Sequence, residues 1–167
     1  MAKKIYLAGP WFHDDDWPMV QKPFNPDNDQ SKRLDYLREQ LENAGYGVYF
    51  PKDTKLEPTA GQDWRETAFK GNIDAIHDAD IVFAVTDGKD VGTMMEIGVG
   101  YEAGKKLVMF AETLGDAKFN LMLAVPASMV ITSRDQLEDL LTKIDRKTKL
   151  DKYLDGDEGF IFKGAIE

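Results

Sequence analysis

The 167-residue chain contains no cysteine and only two histidines. The absence of cysteine excludes disulfide bonds, thiolate metal sites and a cysteine nucleophile. No apolar run is longer than Ile81–Val85, which is far below the roughly 20 residues that a membrane span needs. No Gly-x-x-x-x-Gly-Lys or Gly-x-Gly-x-x-Gly phosphate-binding loop follows a predicted strand. A chain of this length buries enough surface to fold as one domain without cross-links.

Basic residues are also scarce relative to acidic ones. The chain has 21 lysines and arginines against 30 aspartates and glutamates, for a formal net charge of -9. Such a field repels polyanions and anionic membranes, so we expect neither nucleic acid nor a membrane as a partner. At the N-terminus, Lys3 and Lys4 precede a short apolar run that soon reaches Gly9 and Pro10. This pattern has no signal-peptide core, and the expected localisation is cytoplasmic.

Short apolar segments alternate with helical patterns along the chain, which is typical of a parallel α/β sheet. The predicted strands are Lys4–Ala8, Gly47–Phe50, Ile81–Thr86, Leu107–Ala111 and Met129–Ile131. We therefore predict a single α/β domain over residues 1–167, with a five-stranded, mainly parallel sheet and helices on both faces.

Amphipathic patterns predict the helices that connect these strands. The predicted helices cover about Ser31–Ala44, Asp63–Asp78 and Gly92–Gly104, followed by a last helix that opens with a capping box of Ser133 and Gln136. In the second helix, Phe69, Ile73 and Ile76 form the predicted core stripe.

Long irregular segments follow the first two predicted strands, at Pro10–Gln30 and Pro51–Gly61. Ligands of open parallel sheets bind beyond the carboxyl ends of the strands. We therefore predict that these loops lie beside a site, although they also fit simple flexible connections. Trp11 and Phe12 in the first loop offer flat faces on which a planar base can stack, while aromatic residues at such spacing also occur in ordinary cores.

The segment from Ile81 to Gly104 combines a predicted strand, a turn and a helix, and it carries Glu96. On a helical wheel, Gly92 and Gly100 fall within about 60° of Glu96, so the carboxylate lies on a small, apolar face. Burial raises the pKa of such a carboxylate while the helix start lowers it. An ionised carboxylate in a dry pocket is a nucleophile suited to a sugar carbon.

Two features of this helix bear on the interpretation of Glu96. Glycines inside a helix cost about 1 kcal/mol each relative to alanine, so Gly98 and Gly100 indicate the close approach of another backbone or a ligand. The alternative is that Thr93 and Glu96 form a capping box, in which the glutamate only bonds the helix N-terminus and faces water.

Three other polar side chains are predicted to reach the same crevice. Asp90 either holds a sugar through its hydroxyls or serves as a helix cap or turn residue. Tyr6 on the first strand either bonds Glu96 or packs within the sheet. Asn72 lies at the border of the second helix's core stripe, where its amide can bond a heterocycle through both donor and acceptor, whereas Asp74 is predicted to face water.

Acidic residues elsewhere are weaker candidates. The run His13–Asp16 is unlike an ordinary metal site, since adjacent loop carboxylates are usually solvated, and we expect neither a metal nor another cofactor. Asp87 with Gly88 indicates a turn. A phosphoacceptor signalling domain is an alternative, because it also has an acidic cluster after its first strand and an aspartate after its third. It requires a lysine at the end of the last strand, where this chain has Thr132.

Several short motifs follow one another in order along nearly the whole chain. They are Tyr6-Leu7-Ala8-Gly9-Pro10, Gly71-Asn72-Ile73, Asp90-Val91-Gly92 with Glu96-Ile97-Gly98 and Tyr101, and Asn120-Leu121-Met122. Together they resemble the nucleoside 2-deoxyribosyltransferase family. The resemblance implies a flavodoxin-like fold and a retaining, two-step exchange that moves a 2'-deoxyribosyl group from one nucleobase to another.

The resemblance also implies roles for individual residues. Glu96 matches the nucleophile that forms a covalent deoxyribosyl-enzyme, and Tyr6 matches the residue that orients it. Asp90 and Asn120 match positions that contact sugar hydroxyls, with Asn120 and nearby Met122 supplied by a neighbouring subunit. The implied assembly is a homo-oligomer built from dimers, such as a hexamer.

The expected substrates are deoxyribonucleosides and free nucleobases. The substrate-binding residues expected from the motifs and the first loop are Gly9, Trp11, Phe12, Asn72, Gly92, Asn120 and Met122. The C-terminal tail, residues 148–167, is expected to pack at the active site or at a subunit interface.

Two positions depart from the family pattern. Asn72 stands where some members have an aspartate that helps to protonate the departing base, and Glu167 stands where the family has a terminal tyrosine. An alternative in the same superfamily is an N-glycosidase that passes the sugar of a deoxynucleoside 5'-monophosphate to water. The absence of a basic or serine-rich loop near Gly9 favours unphosphorylated nucleosides. A non-catalytic nucleoside-binding module is a further alternative.

Overall fold

The computed structural model describes residues 3–10, 29–53, 64–115 and 117–144, together with Leu154 and Ile166. The strands are β1 Lys4–Ala8, β2 Gly47–Tyr49, β3 Ile81–Val85, β4 Lys106–Phe110 and β5 Met129–Ile131. The α-helices are α1 Asp29–Asn43, α2 Trp64–Asp78, α3 Val91–Glu102, α4 Leu121–Ala124 and α5 Arg134–Lys143. None of the described helices is long and apolar enough to cross a membrane.

The five strands form one parallel sheet in the order β2-β1-β3-β4-β5. This is the strand order of the flavodoxin-like fold, in which the chain changes direction across the sheet between β1 and β3. Every residue of β3 is buried, as expected for a parallel strand covered by helices on both faces. The predicted α/β fold is confirmed, and its ligand crevice is expected beyond the carboxyl ends of β1 and β3.

The sheet separates two hydrophobic cores. Leu34, Leu37 and Leu140 belong to the core that covers one face with α1 and α5, whereas Ile76 and Ile97 belong to the core that covers the other face with α2 and α3. Side chains alternate between the faces of a strand. In β1, Ile5 and Leu7 therefore enter the first core, while Tyr6 and Ala8 enter the second, beneath α3.

The predicted core stripe of α2 is confirmed only at Ile76, since Ile73 is half-buried and is part of neither core. Ile76 is buried, but Phe69 is 52% exposed. The 15-residue helix is about 22 Å long, whereas the five-residue strand β1 spans about 17 Å. The C-terminal half of α2 covers the sheet through Ala75 and Ile76, followed by Ala79 just beyond the helix. Phe69 lies in the half of α2 that extends toward the carboxyl edge.

The predicted bounds of β1 and β5 are confirmed, and those of the other predicted strands and of the first three helices differ by at most two residues at either end. The last helix has the predicted N-terminal cap, because the Ser133 hydroxyl accepts from the Gln136 amide at 3.2 Å. Two residues of the tail are described. Leu154 is buried in the α1 and α5 core, and Ile166 forms an isolated parallel bridge with Phe119, the residue before Asn120.

Candidate active site

Tyr6 and Glu96 meet at the predicted crevice. The Tyr6 hydroxyl donates a hydrogen bond of 2.7 Å to Glu96 Oε1. Tyr6 is fully buried on β1, and its position in the strand directs it toward α3, which carries Glu96 in its second turn. The structure therefore joins the two side chains that the helical wheel and the strand alternation assigned to one crevice.

The start of α3 explains why Glu96 does not cap the helix. Asp90 is the N-cap residue, and its Oδ2 accepts from the Thr93 amide at 2.7 Å and from the Thr93 hydroxyl at 2.8 Å. The alternative of a capping box between Thr93 and Glu96 is therefore wrong. Asp90 does act as a cap, and its charge is also close enough to Glu96 to raise the pKa of that carboxyl.

The electrostatic environment of Glu96 is unusual for a glutamate. The pKa of Glu96 is raised to a net value of about 7, because burial raises it, the hydrogen bond from Tyr6 lowers it, and the negative charge of Asp90 adds a smaller increase. The pKa of Tyr6 is raised far above its ordinary value, first by burial and then by the charge and hydrogen bond of Glu96. Tyr6 is therefore a permanent neutral donor, and Glu96 is a carboxyl that loses its proton near neutral pH.

Glycines hold these elements close together. A Cβ at Gly100 would lie 2.8 Å from Val82 Cγ2 and 3.3 Å from Leu107 Cδ2, so the predicted close approach of α3 is an approach to the sheet. At Gly98 an added Cβ would meet nothing within 4 Å in the described part of the chain, so close approach of another backbone segment does not explain this glycine.

The two glycines expected at the substrate site have contacts within the chain. A Cβ at Gly9 would lie 2.5 Å from Leu34 Cδ2, the end of a flexible side chain on α1, and a Cβ at Gly92 would lie 3.2 Å from Asp90 Oδ2. Gly9 therefore allows the chain after β1 to pack closely against α1, and Gly92 allows close packing against the Asp90 side chain.

A second tyrosine, Tyr49, extends the site toward α2. Its ring stacks on that of Tyr6 with centroids 5.5 Å apart and an angle of 15° between the planes. Its hydroxyl donates to Asn72 Oδ1 at 3.3 Å. Tyr49 is not among the predicted site residues, although it lies one residue before the end of the predicted strand Gly47–Phe50, which precedes a long irregular segment. Asp74, on the same helix as Asn72, is exposed as predicted.

Asn120 and Met122 lie elsewhere within the chain. Asn120 is the N-cap of α4, and its Oδ1 accepts from the Met122 amide at 2.9 Å. Both residues line a cavity of about 840 Å³ beside the opposite face of α3, together with Gly98 and Tyr101. Neither Tyr6 nor Glu96 lines this cavity, so the structure does not place Asn120 and Met122 in the Glu96 crevice of their own chain.

Asp87 has a structural function that the prediction of a simple turn missed. Its side chain accepts from the backbone amides of Glu112 at 3.0 Å and Thr113 at 2.7 Å, and from the Thr113 hydroxyl. Asp87 is only 5% exposed. A carboxylate used in this way fixes the segment after β4 to the end of β3, which argues against the phosphoacceptor alternative.

Some predicted features lie outside the described residues. They are Trp11, Phe12, the acidic run His13–Asp16, Glu167 and most of the two irregular segments.

The sequence and the fold were compared with known proteins. A family profile described as nucleoside 2-deoxyribosyltransferase matches residues 5–141. The chain belongs to this family. The match includes Tyr6, Asp90 and Glu96. A search of curated protein sequences finds no match.

Solved structures of family-related proteins share the fold. A 2-deoxyribosyltransferase from Bacillus psychrosaccharolyticus is 27% identical over 81% of this chain and 90% of that chain, with a TM-score of 0.65. A 2-deoxyribosyltransferase from Leishmania mexicana is 22% identical over 84% and 97%, with a TM-score of 0.54. The CMP N-glycosidase BcmB of Clostridium botulinum is 23% identical over the same shares, with a TM-score of 0.53. At these identities the last two show the fold alone.

Proposed function

We propose that this protein exchanges the nucleobase of 2'-deoxyribonucleosides, with Glu96 as a covalent nucleophile. The observation that carries the proposal is the hydrogen bond of 2.7 Å between Tyr6 and Glu96. This bond is partly buried between β1 and α3, in a chain that belongs to the deoxyribosyltransferase family. A carboxyl whose pKa is about 7 is substantially ionised at neutral pH, and burial leaves the anion poorly solvated and reactive.

In the first step, a carboxylate oxygen of Glu96 attacks C1' of the nucleoside. A bond forms between C1' and that oxygen, the glycosidic C1'–N bond breaks, and the base leaves with the electron pair and takes a proton from solvent. Tyr6 donates to Oε1, so we assign the attack to Oε2. The product is a deoxyribosyl ester of Glu96.

In the second step, a ring nitrogen of the incoming base attacks C1'. The bond to Glu96 breaks, the carboxylate is restored, and the incoming base releases a proton to solvent. Each step inverts C1', so the overall exchange retains its configuration. The hydrogen bond from Tyr6 stabilises the carboxylate as it departs.

Asp90 is assigned to the sugar. Its Oδ2 is engaged by Thr93, and we assign Oδ1 to a hydroxyl of the deoxyribose. Gly9 and Gly92 allow the sugar to approach the backbone, and Trp11, Phe12 and Asn72 are assigned to the base. The assignments of Asp90, Gly9, Gly92 and Asn72 follow the family motifs, whereas those of Trp11 and Phe12 follow from the flat faces that these side chains offer in the first loop.

We also propose that Asn120 and Met122 complete the site of a second copy. Met122 is 77% exposed and Val125 is 71% exposed, and α3 adds the exposed apolar side chains of Val91, Met95 and Tyr101. Apolar side chains exposed in such number on neighbouring helices are typical of a surface that is covered by a partner. Association of two chains would bring Asn120 from one chain toward the crevice of the other.

The proposed reaction is tested by incubating the protein with deoxyinosine and adenine. We expect deoxyadenosine and hypoxanthine in equal amounts, and no sugar release when adenine is omitted. Release of free deoxyribose without an acceptor base would instead identify an N-glycosidase. No turnover with any nucleoside or nucleotide would leave only a binding module and would contradict the proposal.

The covalent step has its own test. A 2'-fluoro-2'-deoxynucleoside reacts slowly, so its sugar is expected to remain on the peptide that contains Glu96, where mass spectrometry detects it. In Glu96→Gln we expect no adduct and a loss of exchange of at least about 10³-fold. Glu102→Gln, an exposed position on the same helix, is the matched control and is expected to retain both. Exchange at the wild-type rate in Glu96→Gln would refute the mechanism.

A further inference from the structure

Tyr49 and Asn72 form a hydrogen-bonded pair beside the Tyr6–Glu96 pair. Tyr6 and Tyr49 are register partners on adjacent parallel strands, and register partners extend from the same face of a sheet. Their stacked rings are 5.5 Å apart. The Tyr49 hydroxyl is thus held next to the crevice, and it donates to Asn72 Oδ1 on α2 at 3.3 Å.

This contact fixes what Asn72 can offer to a ligand. A carboxamide has one oxygen that accepts hydrogen bonds and one NH2 group that donates them. The Tyr49 hydroxyl uses one of the two lone pairs of the oxygen and fixes the orientation of the amide. Asn72 held in this way offers a ligand both hydrogens of its NH2 group but only one lone pair of its oxygen, so it acts mainly as a hydrogen-bond donor.

We propose that Tyr49 is a specificity-determining positioning residue, which orients Asn72 so that its amide N–H binds an acceptor atom of the nucleobase. The proposal rests on the proposed base exchange. Position 72 would then read a ring nitrogen or carbonyl oxygen next to the glycosidic bond, such as N7 or N3 of a purine or O2 of a pyrimidine.

The proposed hydrogen bond from Asn72 to the base also favours the departure of the base. When the C1'–N bond breaks, the electron pair that stays on the base increases the negative charge on its ring nitrogens and oxygens. A hydrogen bond from Asn72 Nδ2 stabilises that charge, and the base takes its proton from solvent. No acid is required at position 72, so asparagine is compatible with turnover.

The test compares deoxyadenosine with its 7-deaza and 3-deaza analogues as donors, because each analogue replaces one acceptor nitrogen with C–H. We expect wild-type kcat/KM to fall by about tenfold or more for one analogue. In Tyr49→Phe, which retains the ring and its stack, we expect this discrimination ratio to shrink at least about fivefold. The intrinsic reactivity of an analogue affects wild type and Tyr49→Phe equally, so it cancels when the discrimination ratio of one protein is divided by that of the other.

Two controls separate specificity from a general structural effect. Tyr36→Phe removes a hydroxyl that donates to Glu138 at 2.6 Å on the exposed surface, and it should leave the ratio unchanged. Asn72→Ala should reduce the ratio as Tyr49→Phe does, and the double variant should show no further reduction. Additive effects, or an unchanged ratio in Tyr49→Phe, would overturn the inference.

A binding measurement decides the inference without turnover. Calorimetry with Glu96→Gln gives dissociation constants for the same three nucleosides, with and without Tyr49→Phe. Binding with an equal ratio in both backgrounds would overturn only the role of Tyr49. Preference for bases with N–H donors would mean that Asn72 presents its oxygen to the base, and this result would also overturn the proposed role of Tyr49. If no nucleoside binds and none is turned over, the proposed function fails and the inference fails with it.

Discussion

The Tyr6 hydroxyl lies 2.7 Å from Glu96 Oε1, although the two residues are 90 positions apart in sequence. This bond lowers the pKa of Glu96, whereas burial and Asp90 raise it to a net value of about 7. The phenol therefore controls how much of the carboxyl is ionised at neutral pH.

Removal of this phenol should shift the pH dependence of exchange. In Tyr6→Phe, the Glu96 anion loses a hydrogen bond while its burial remains, so its pKa should rise above about 7. We expect kcat/KM at neutral pH to fall by about tenfold or more, and its acidic limb to move to higher pH. Steady-state kinetics over a pH series measure both changes. If kcat/KM falls but the acidic limb of its pH profile does not move, the assigned role of Tyr6 is contradicted.

The wild-type protein should lose activity in acid. Because the protonated carboxyl is not a nucleophile, kcat/KM should fall about tenfold per pH unit below the Glu96 pKa of about 7 and level off above it. Initial rates between about pH 5 and 9 test this, with circular dichroism at each pH to verify that the chain stays folded. A flat profile down to pH 5 would show that Glu96 does not titrate in this range.

The raised pKa of Glu96 also predicts a cost in stability. Its pKa rises from 4.5 to about 7 on folding, so the folded state binds the proton more tightly than the unfolded state. Ionisation of this carboxyl therefore lowers the free energy of unfolding as the pH rises above about 4.5, and the loss is complete above about pH 7.

Glu96→Gln should remove this cost. We expect it to increase the free energy of unfolding at pH 8 by up to about 3 kcal/mol, with no gain below about pH 4. Urea denaturation at both pH values measures the difference, and Glu102→Gln serves as the control. A variant that is less stable than wild type at pH 8 would contradict the assigned cost of ionisation.

Two glycines of α3 form a matched pair for a packing test. Gly100→Ala places a methyl group 2.8 Å from Val82 Cγ2, and we expect a loss of about 1–3 kcal/mol in the free energy of unfolding. Gly98→Ala meets nothing within 4 Å, and its better helix propensity should add up to about 1 kcal/mol. Urea denaturation of both variants measures the contrast. Equal effects would show that α3 is not seated closely on the sheet at Gly100.

The sheet and the contact between Tyr6 and Glu96 could be predicted from the sequence because both depend on local periodicity. Alternation in β1 directs Tyr6 to one face, and the helical wheel of α3 directs Glu96 toward a surface of small residues. The choice between Asp90 and Thr93 as the helix cap depended on where α3 begins. A shift of the cap by three residues, from Thr93 to Asp90, changes the interpretation of Glu96.

Other features depend on how distant segments pack. Phe69 fits the periodicity of α2, but the helix is longer than the strands it covers, so the residue is exposed. Asp87 looks like a turn residue because its partners, Glu112 and Thr113, follow a different strand. Tyr49 gains its significance only from the register of β2 against β1 and from Asn72 on α2. These contacts join segments that are far apart in the sequence, so no local sequence pattern predicts them.

Glu96, the proposed nucleophile, and the Tyr6 phenol that binds it both lie on regular elements, α3 and β1. The absence of a side chain at Gly100 lets α3 lie directly on β3 and β4. The long segments after β1 and β2, with Trp11 and Phe12 in the first, are separate from this framework in sequence. Mutant libraries confined to residues 11–28 and 54–63 should therefore diversify base preference while leaving the placement of the bond-forming atoms unchanged.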